Sequence, residues 1–182
     1  ASTYQAVSGS GSGGIEELRD QIWSYSTEQT HAPISPVVYP HQIFDNVIPQ
    51  VGGFDSEGCT SEEMKMSNET HKILRDWDIN VLCTCVRVPV FYGHSVSIFL
   101  ELENEMTPEE AQEILQDAPG VVLVDDPSAS KYPMPQNVRR EDVQVGRIRQ
   151  GAHANELVLW CSGDNIWKGA ALNAVQIAQL FL

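Results

Sequence analysis

The sequence predicts an α+β domain: a mixed β-sheet covered by helices on one face. Three observations carry this. Short β-branched runs recur between helical stretches, two helix starts carry explicit capping chemistry, and 42% of the 182 residues are hydrophobic, enough for a sizeable core. No internal repeat is visible, and no strand–Gly-x-Gly–helix fingerprint of a nucleotide domain appears.

Taken in order, the segment Ser8 to Gly14 alternates Gly and Ser and reads as a flexible linker. The alternative is a Gly-rich turn that opens a helix and offers backbone N–H groups to phosphate or carboxylate. Ile15, Leu18 and Ile22 then recur at helical spacing. From Thr30 to Val51 the four prolines Pro33, Pro36, Pro40 and Pro49 predict an irregular surface excursion or interface arm. Thr60-Ser61-Glu62-Glu63 is a capping box, starting a helix that runs to about Arg75. Asn80 to Val90 is a strand, followed by a turn carrying Tyr92-Gly93-His94 and a second strand from Val96 to Glu103. Thr107-Pro108-Glu109-Glu110 places an N-cap before a first-turn proline, for a helix ending before Pro119. Val121 to Val124 is a short buried strand; Val143 to Ile148 and Leu157 to Cys161 are two more. Gly169 to Ala178 is a final helix with small residues for close packing.

Charge narrows the function. Against 25 Asp+Glu stand 11 Lys+Arg, a net of −14, so the chain lacks the basic surface that nucleic acid requires. An anionic substrate must be captured by a local basic pocket. No stretch approaches the roughly 20 apolar residues of a membrane helix, and the N-terminus lacks a secretion signal. Cys59, Cys83, Cys85 and Cys161 read as buried free thiols of a reduced, cytoplasmic compartment. His31, His41, His71, His94 and His153 are scattered without metal-ligand spacing, so no metal is expected.

Three features can carry chemistry. Arg87 shares a strand face with Val81, Cys83 and Cys85, at the end of an apolar stripe. A buried guanidinium needs an anion, either Glu62 or Glu101 in a salt bridge, or a substrate carboxylate gripped by its planar fork. His94, just past the strand, either hydrogen-bonds locally or serves as a general base near neutral pH. Glu62 and Lys65 share the first turn of their helix, as an exposed ion pair or as groups meeting the ammonium and phosphate of one ligand.

The order of motifs says more than any one of them. Ser2-Thr3-Tyr4-Gln5-Ala6-Val7-Ser8-Gly9-Ser10-Gly11 precedes Glu62-Glu63-Met64-Lys65-Met66 with Glu69-Thr70. Cys85-Val86-Arg87-Val88-Pro89-Val90 and Gly93-His94-Ser95 follow, then Val145-Gly146-Arg147-Ile148-Arg149, Gly163-Asp164-Asn165 and Lys168-Gly169-Ala170-Ala171-Leu172-Asn173-Ala174-Val175-Gln176. Over essentially the whole chain this series resembles bacterial-type aspartate-semialdehyde dehydrogenase, in its C-terminal substrate-binding and dimerisation domain, a fold like the C-terminal domain of glyceraldehyde-3-phosphate dehydrogenase. The resemblance implies an NADP-dependent enzyme that converts L-aspartyl 4-phosphate to L-aspartate 4-semialdehyde in lysine, methionine and threonine biosynthesis, as a cytoplasmic homodimer or homotetramer. By motif, it implies that Gln5 positions substrate, Glu62 meets the amino group, Lys65 the phosphate and Arg87 the α-carboxylate. It gives His94 the acid/base role and puts Ser8, Gly9 and Asn165 at the cofactor.

The family's N-terminal Gly-rich cofactor loop and its Asn-Cys nucleophile have no counterpart in these residues. The expectation is therefore one substrate-binding domain, 1–182, without its NADP-binding domain, inactive alone and with little or no cofactor binding. Cys85, two residues before Arg87, is read as structural. The alternative is a non-catalytic dimerisation or scaffold module that retains the pocket residues, with Cys83, Cys85 and the Val121 strand contributing to the paired face.

Overall fold

The computed structural model describes residues 1–27, 35–138 and 141–182. His31 and Pro33 lie outside them. The chain forms two compact units, Ala1–Phe91 and Tyr92–Leu182.

In the first unit, β1 (Ser2–Gln5) and β2 (Thr84–Arg87) pair in parallel, Ser2 against Thr84 through Gln5 against Arg87. The expected strand from Asn80 is cut to four residues because β1 offers a ladder no longer than that. Upstream, the chain is held by single bonds, the terminal amine of Ala1 donating to Leu82 O at 2.6 Å. Cys85 and Arg87 point inward while Thr84 is exposed, the alternation the sequence predicts.

The Gly/Ser stretch is not a linker. Val7–Ser10 forms a 3-10 turn and α1 runs Gly11–Thr27, four residues earlier than the apolar spacing suggested. Tertiary packing overrides the entropy that glycine and serine bring. Val7 and Leu18 are fully buried with Ile43 and Ile48, and Val7 N and Ser8 N donate to Val90 O and Phe91 O. Gly14 is needed for close approach, since a Cβ there would lie 2.6 Å from Val7 O. The proline-containing loop is also less superficial than expected. Ile43 and Ile48 sit in this core, and Ile48 exchanges backbone bonds with Arg87 at 2.9 and 2.8 Å.

α2 (Ser61–Leu74) starts at the predicted capping box. Thr60 Oγ1 accepts from Glu63 N at 3.3 Å, while Glu63 Oε2 accepts from Thr60 N at 2.7 Å. The other oxygen of Glu63 accepts from Cys85 N at 2.9 Å, tying the start of α2 to β2.

In the second unit, β3 (His94–Glu101), β6 (Glu156–Gly163) and β5 (Val143–Gln150) form an antiparallel ladder, and β4 (Val121–Leu123) adds in parallel to β5. The sheet is therefore mixed, as predicted. α3 (Pro108–Gln116), with its own capping box at Thr107 and Glu110, lays Ala111 on a core of Val145, Ile148, Leu157 and Leu159. β4 is half-buried rather than buried, because as the last strand of this ladder it has a neighbour on one side only. The final helix is a π-type turn, Trp167–Ala171, that leads into α4, Leu172–Gln179.

Candidate functional site

Gln5, Glu62, Lys65 and Arg87 are brought together in the first unit. Gln5 stands beside Arg87 in the β1–β2 ladder and donates from Nε2 to Glu62 Oε1 at 3.4 Å. Glu62 Oε2 lies 3.6 Å from Lys65 Nζ, and Lys65 is the more exposed of that pair. The result is a row: amide, carboxylate and ammonium, with a guanidinium alongside. Such a row can match a ligand carrying an ammonium, a carboxylate and a phosphate.

Arg87 is 6% exposed. Neither expected acid forms a salt bridge with it: among the described residues no carboxylate makes an ion pair with it. Its Nη1 donates to Ala6 O at 2.7 Å, and its Cζ lies 6.0 Å from the centroid of the Tyr39 ring. Backbone and aromatic face thus stand where a salt bridge was one of the two expectations. Burial pulls the guanidinium below its ordinary pKa, while Tyr39 and Glu62 act against that shift.

Ser8 and Gly9 follow in the 3-10 turn. Ser8 is buried and Gly9 is exposed, its N–H closing on Ala6 O at 3.1 Å.

His94 and Asn165 belong to the second unit. His94 is the first residue of β3, opposite Gly163, instead of lying in a turn as the sequence suggested. The turn is one residue earlier, at Gly93 (φ 87°), where a Cβ would crowd Pro135 at 3.1 Å. Asn165 Oδ1 accepts from Gly93 N at 2.9 Å, so it fixes the backbone that presents His94. A cavity of about 470 Å³ in this unit is lined by Ser97, Tyr132, Arg147, Arg149 and Trp160 among others, and by none of the expected site residues.

The thiols depart from the expectation of burial. Cys85 is buried, Cys83 and Cys161 are partly buried, and Cys59 is exposed; all four are free. Burial pushes both Cys83 and Cys161 up to about 11, so neither is an activated nucleophile. Among the described residues no group of three or more His, Cys, Asp or Glu is placed to hold a metal, and no helix is long and apolar enough to cross a membrane.

Sequence reasoning missed Tyr39, the Ala6 carbonyl and Glu17. The one legible signal was Glu17, which falls on the apolar side of its helix between Gly14 and Leu18, all three of them buried.

This architecture, a mixed sheet with helices, is that of a dehydrogenase dimerisation domain. The chain belongs to the semialdehyde dehydrogenase dimerisation-domain family, which matches residues 1–168. Aspartate-semialdehyde dehydrogenase of Aquifex aeolicus is 49% identical over 185 aligned positions, covering all of this chain and 53% of the relative. That of Bacillus subtilis is 46% identical, covering 98% and 54%. The crystal structure of aspartate semialdehyde dehydrogenase II complexed with ASA from Vibrio cholerae superposes with a TM-score of 0.91 at 39% identity, covering 98% of this chain and 52% of that one. The chain thus spans about half the length of the relatives it matches.

Proposed function

We propose that this chain is the substrate-binding and dimerisation part of an NADP-dependent aspartate-semialdehyde dehydrogenase, which interconverts L-aspartyl 4-phosphate and L-aspartate 4-semialdehyde on the route to lysine, methionine and threonine. The observation that carries the reading is Arg87. It is nearly sealed from solvent, makes no ion pair with a carboxylate among the described residues, and adjoins the Gln5–Glu62–Lys65 row. Leaving a cation so placed is costly unless an anion arrives to use it.

In this reading Arg87 grips the α-carboxylate, Glu62 takes the α-ammonium and Lys65 receives the phosphate. Gln5 orients the acyl group, and His94 holds and returns the proton at the reacting oxygen through its imidazole. NADP supplies or accepts the hydride when bound. Exposed Gly9 fits a cofactor edge because it has no side chain there, with Ser8 beside it; Asn165 is the cofactor-contacting residue that this reading assigns to the second unit. The Gly/Ser turn between β1 and α1 spends the N–H groups of Val7, Ser8 and Gly9 on Val90 O, Phe91 O and Ala6 O, so in this reading the main cofactor contacts and the cysteine nucleophile come from outside this chain. The functional protein is a homodimer or a tetramer of two such pairs.

The test is phosphate-dependent NADP reduction with L-aspartate 4-semialdehyde, in the full-length protein and in this chain alone. Turnover in the first and none in the second is expected. Turnover by the 182 residues alone, or none by the full-length protein, overturns the reading; the latter leaves a non-catalytic dimerisation module.

A further inference from the structure

We propose that Tyr39 is a positioning residue for Arg87: its ring serves as the guanidinium's counter-group, so the N–H fork stays available for a ligand carboxylate. This rests on the reading of Arg87 as the carboxylate clamp.

The geometry is specific. Consecutive carbonyls of one turn hold the two side chains, Ala6 O accepting from Arg87 Nη1 at 2.7 Å and Val7 O from the Tyr39 hydroxyl at 3.3 Å. The aromatic ring therefore stands over the guanidinium, Cζ to centroid 6.0 Å. An aromatic face attracts a cation through its quadrupole without consuming any N–H donor. A carboxylate in that place would neutralise the fork and compete with substrate.

Tyr39 is itself pinned by buried polar groups with no other evident purpose. Glu17, 7% exposed, accepts from Val38 N with one oxygen and from Gln21 Nε2 at 3.0 Å with the other. Gln21, 1% exposed, accepts through Oε1 from Ile43 N at 3.0 Å and Phe44 N at 2.9 Å. Two adjacent turns of α1 thus clamp the loop on either side of Tyr39. Gly14 clears the space for its hydroxyl, since a Cβ there would stand 2.5 Å from that oxygen. Burying a carboxylate and an amide to anchor one irregular loop is costly, and the side chain the loop delivers is the one over Arg87.

The experiment compares Tyr39→Phe and Tyr39→Leu with the unaltered chain by two readouts. One is the order of the Arg87 Nε–H group by ¹⁵N NMR, assigned from its disappearance in Arg87→Lys. The other is calorimetric titration with L-aspartate 4-semialdehyde in inorganic phosphate. Tyr39→Phe keeps the ring and is expected to retain both order and affinity. Tyr39→Leu is expected to lose the order and to bind roughly 5- to 30-fold more weakly, the range of a desolvated cation–π contact. Glu17→Gln, which leaves the ring in place and loosens its anchor, is expected to fall between and serves if Tyr39→Leu does not fold. An unchanged Arg87 signal in Tyr39→Leu or, failing that, in Glu17→Gln overturns the proposal, as does a Tyr39→Phe variant as impaired as Tyr39→Leu. Order that depends on Tyr39 in a chain that binds no semialdehyde supports the positioning role and overturns the clamp reading instead.

Discussion

Gln5 and Arg87 are direct neighbours across the parallel β1–β2 ladder, although 82 positions separate them in the chain. Both are buried, and the residue after Gln5 supplies the carbonyl that fixes the guanidinium. The strand pair thus sets two of the four residues proposed to bind substrate side by side.

Arg87→Lys in the full-length enzyme keeps the charge and loses the planar fork. Forfeiting one charge-assisted hydrogen bond costs about 1.5–3 kcal/mol, so KM for the semialdehyde is expected to rise roughly 10- to 150-fold with kcat little changed. Steady-state kinetics check this, and an unaltered KM contradicts the clamp.

His94→Asn preserves a polar side chain at the head of β3 and removes the imidazole. Loss of general acid–base assistance is expected to lower kcat by roughly 10²–10⁴ with KM nearly constant. A kcat within threefold of the unaltered enzyme excludes the role.

Thr60→Ala deletes a fully buried cap and should cost about 1 kcal/mol in urea unfolding. Its partner Glu63 gives the same motif a pH signature. Burial alone would raise that carboxyl, but hydrogen bonds from Thr60 and Cys85 outweigh it and hold the pKa below the ordinary 4.5. The contribution is therefore present above pH 4.5 and lost as pH falls through the folded value. Unfolding midpoints between pH 7 and 3 should decline less steeply for Glu63→Gln than for the unaltered chain.

Thiol labelling should find one fast cysteine at pH 8, the exposed Cys59. Cys83 and Cys161, both at about 11 through burial, and buried Cys85 should react slowly until the chain unfolds. Because these folded pKa values are raised, the associated stability is intact below pH 9 and lost as pH rises towards 11. Several equally fast thiols at pH 8 would contradict the packing.

Gly146→Ala should destabilise the second unit by about 3 kcal/mol. A Cβ there would meet Val124 O at 2.0 Å, where β5 bulges and Arg147 takes a left-handed φ of 57°. A thermal melt unchanged within a degree or two would show that this backbone can yield.

Capping chemistry and strand alternation are local, and both were legible. Thr60 with Glu63, the Thr107 N-cap with Pro108 after it, and the inward row of Cys85 and Arg87 sit where spacing put them, because each depends on residues a few positions apart. The ordered motifs were enough to mark the family and to nominate Gln5, Glu62, Lys65 and Arg87 as one site. Tertiary contact decided the rest. Whether a Gly/Ser stretch coils or folds depends on what it packs against, and here Val7, Leu18 and Ile43 turned it into helix. What neutralises a buried arginine likewise depends on which groups arrive from distant chain. Folding brought a carbonyl and the Tyr39 ring into contact with it, and left Glu62 to act through space without an ion pair among the described residues.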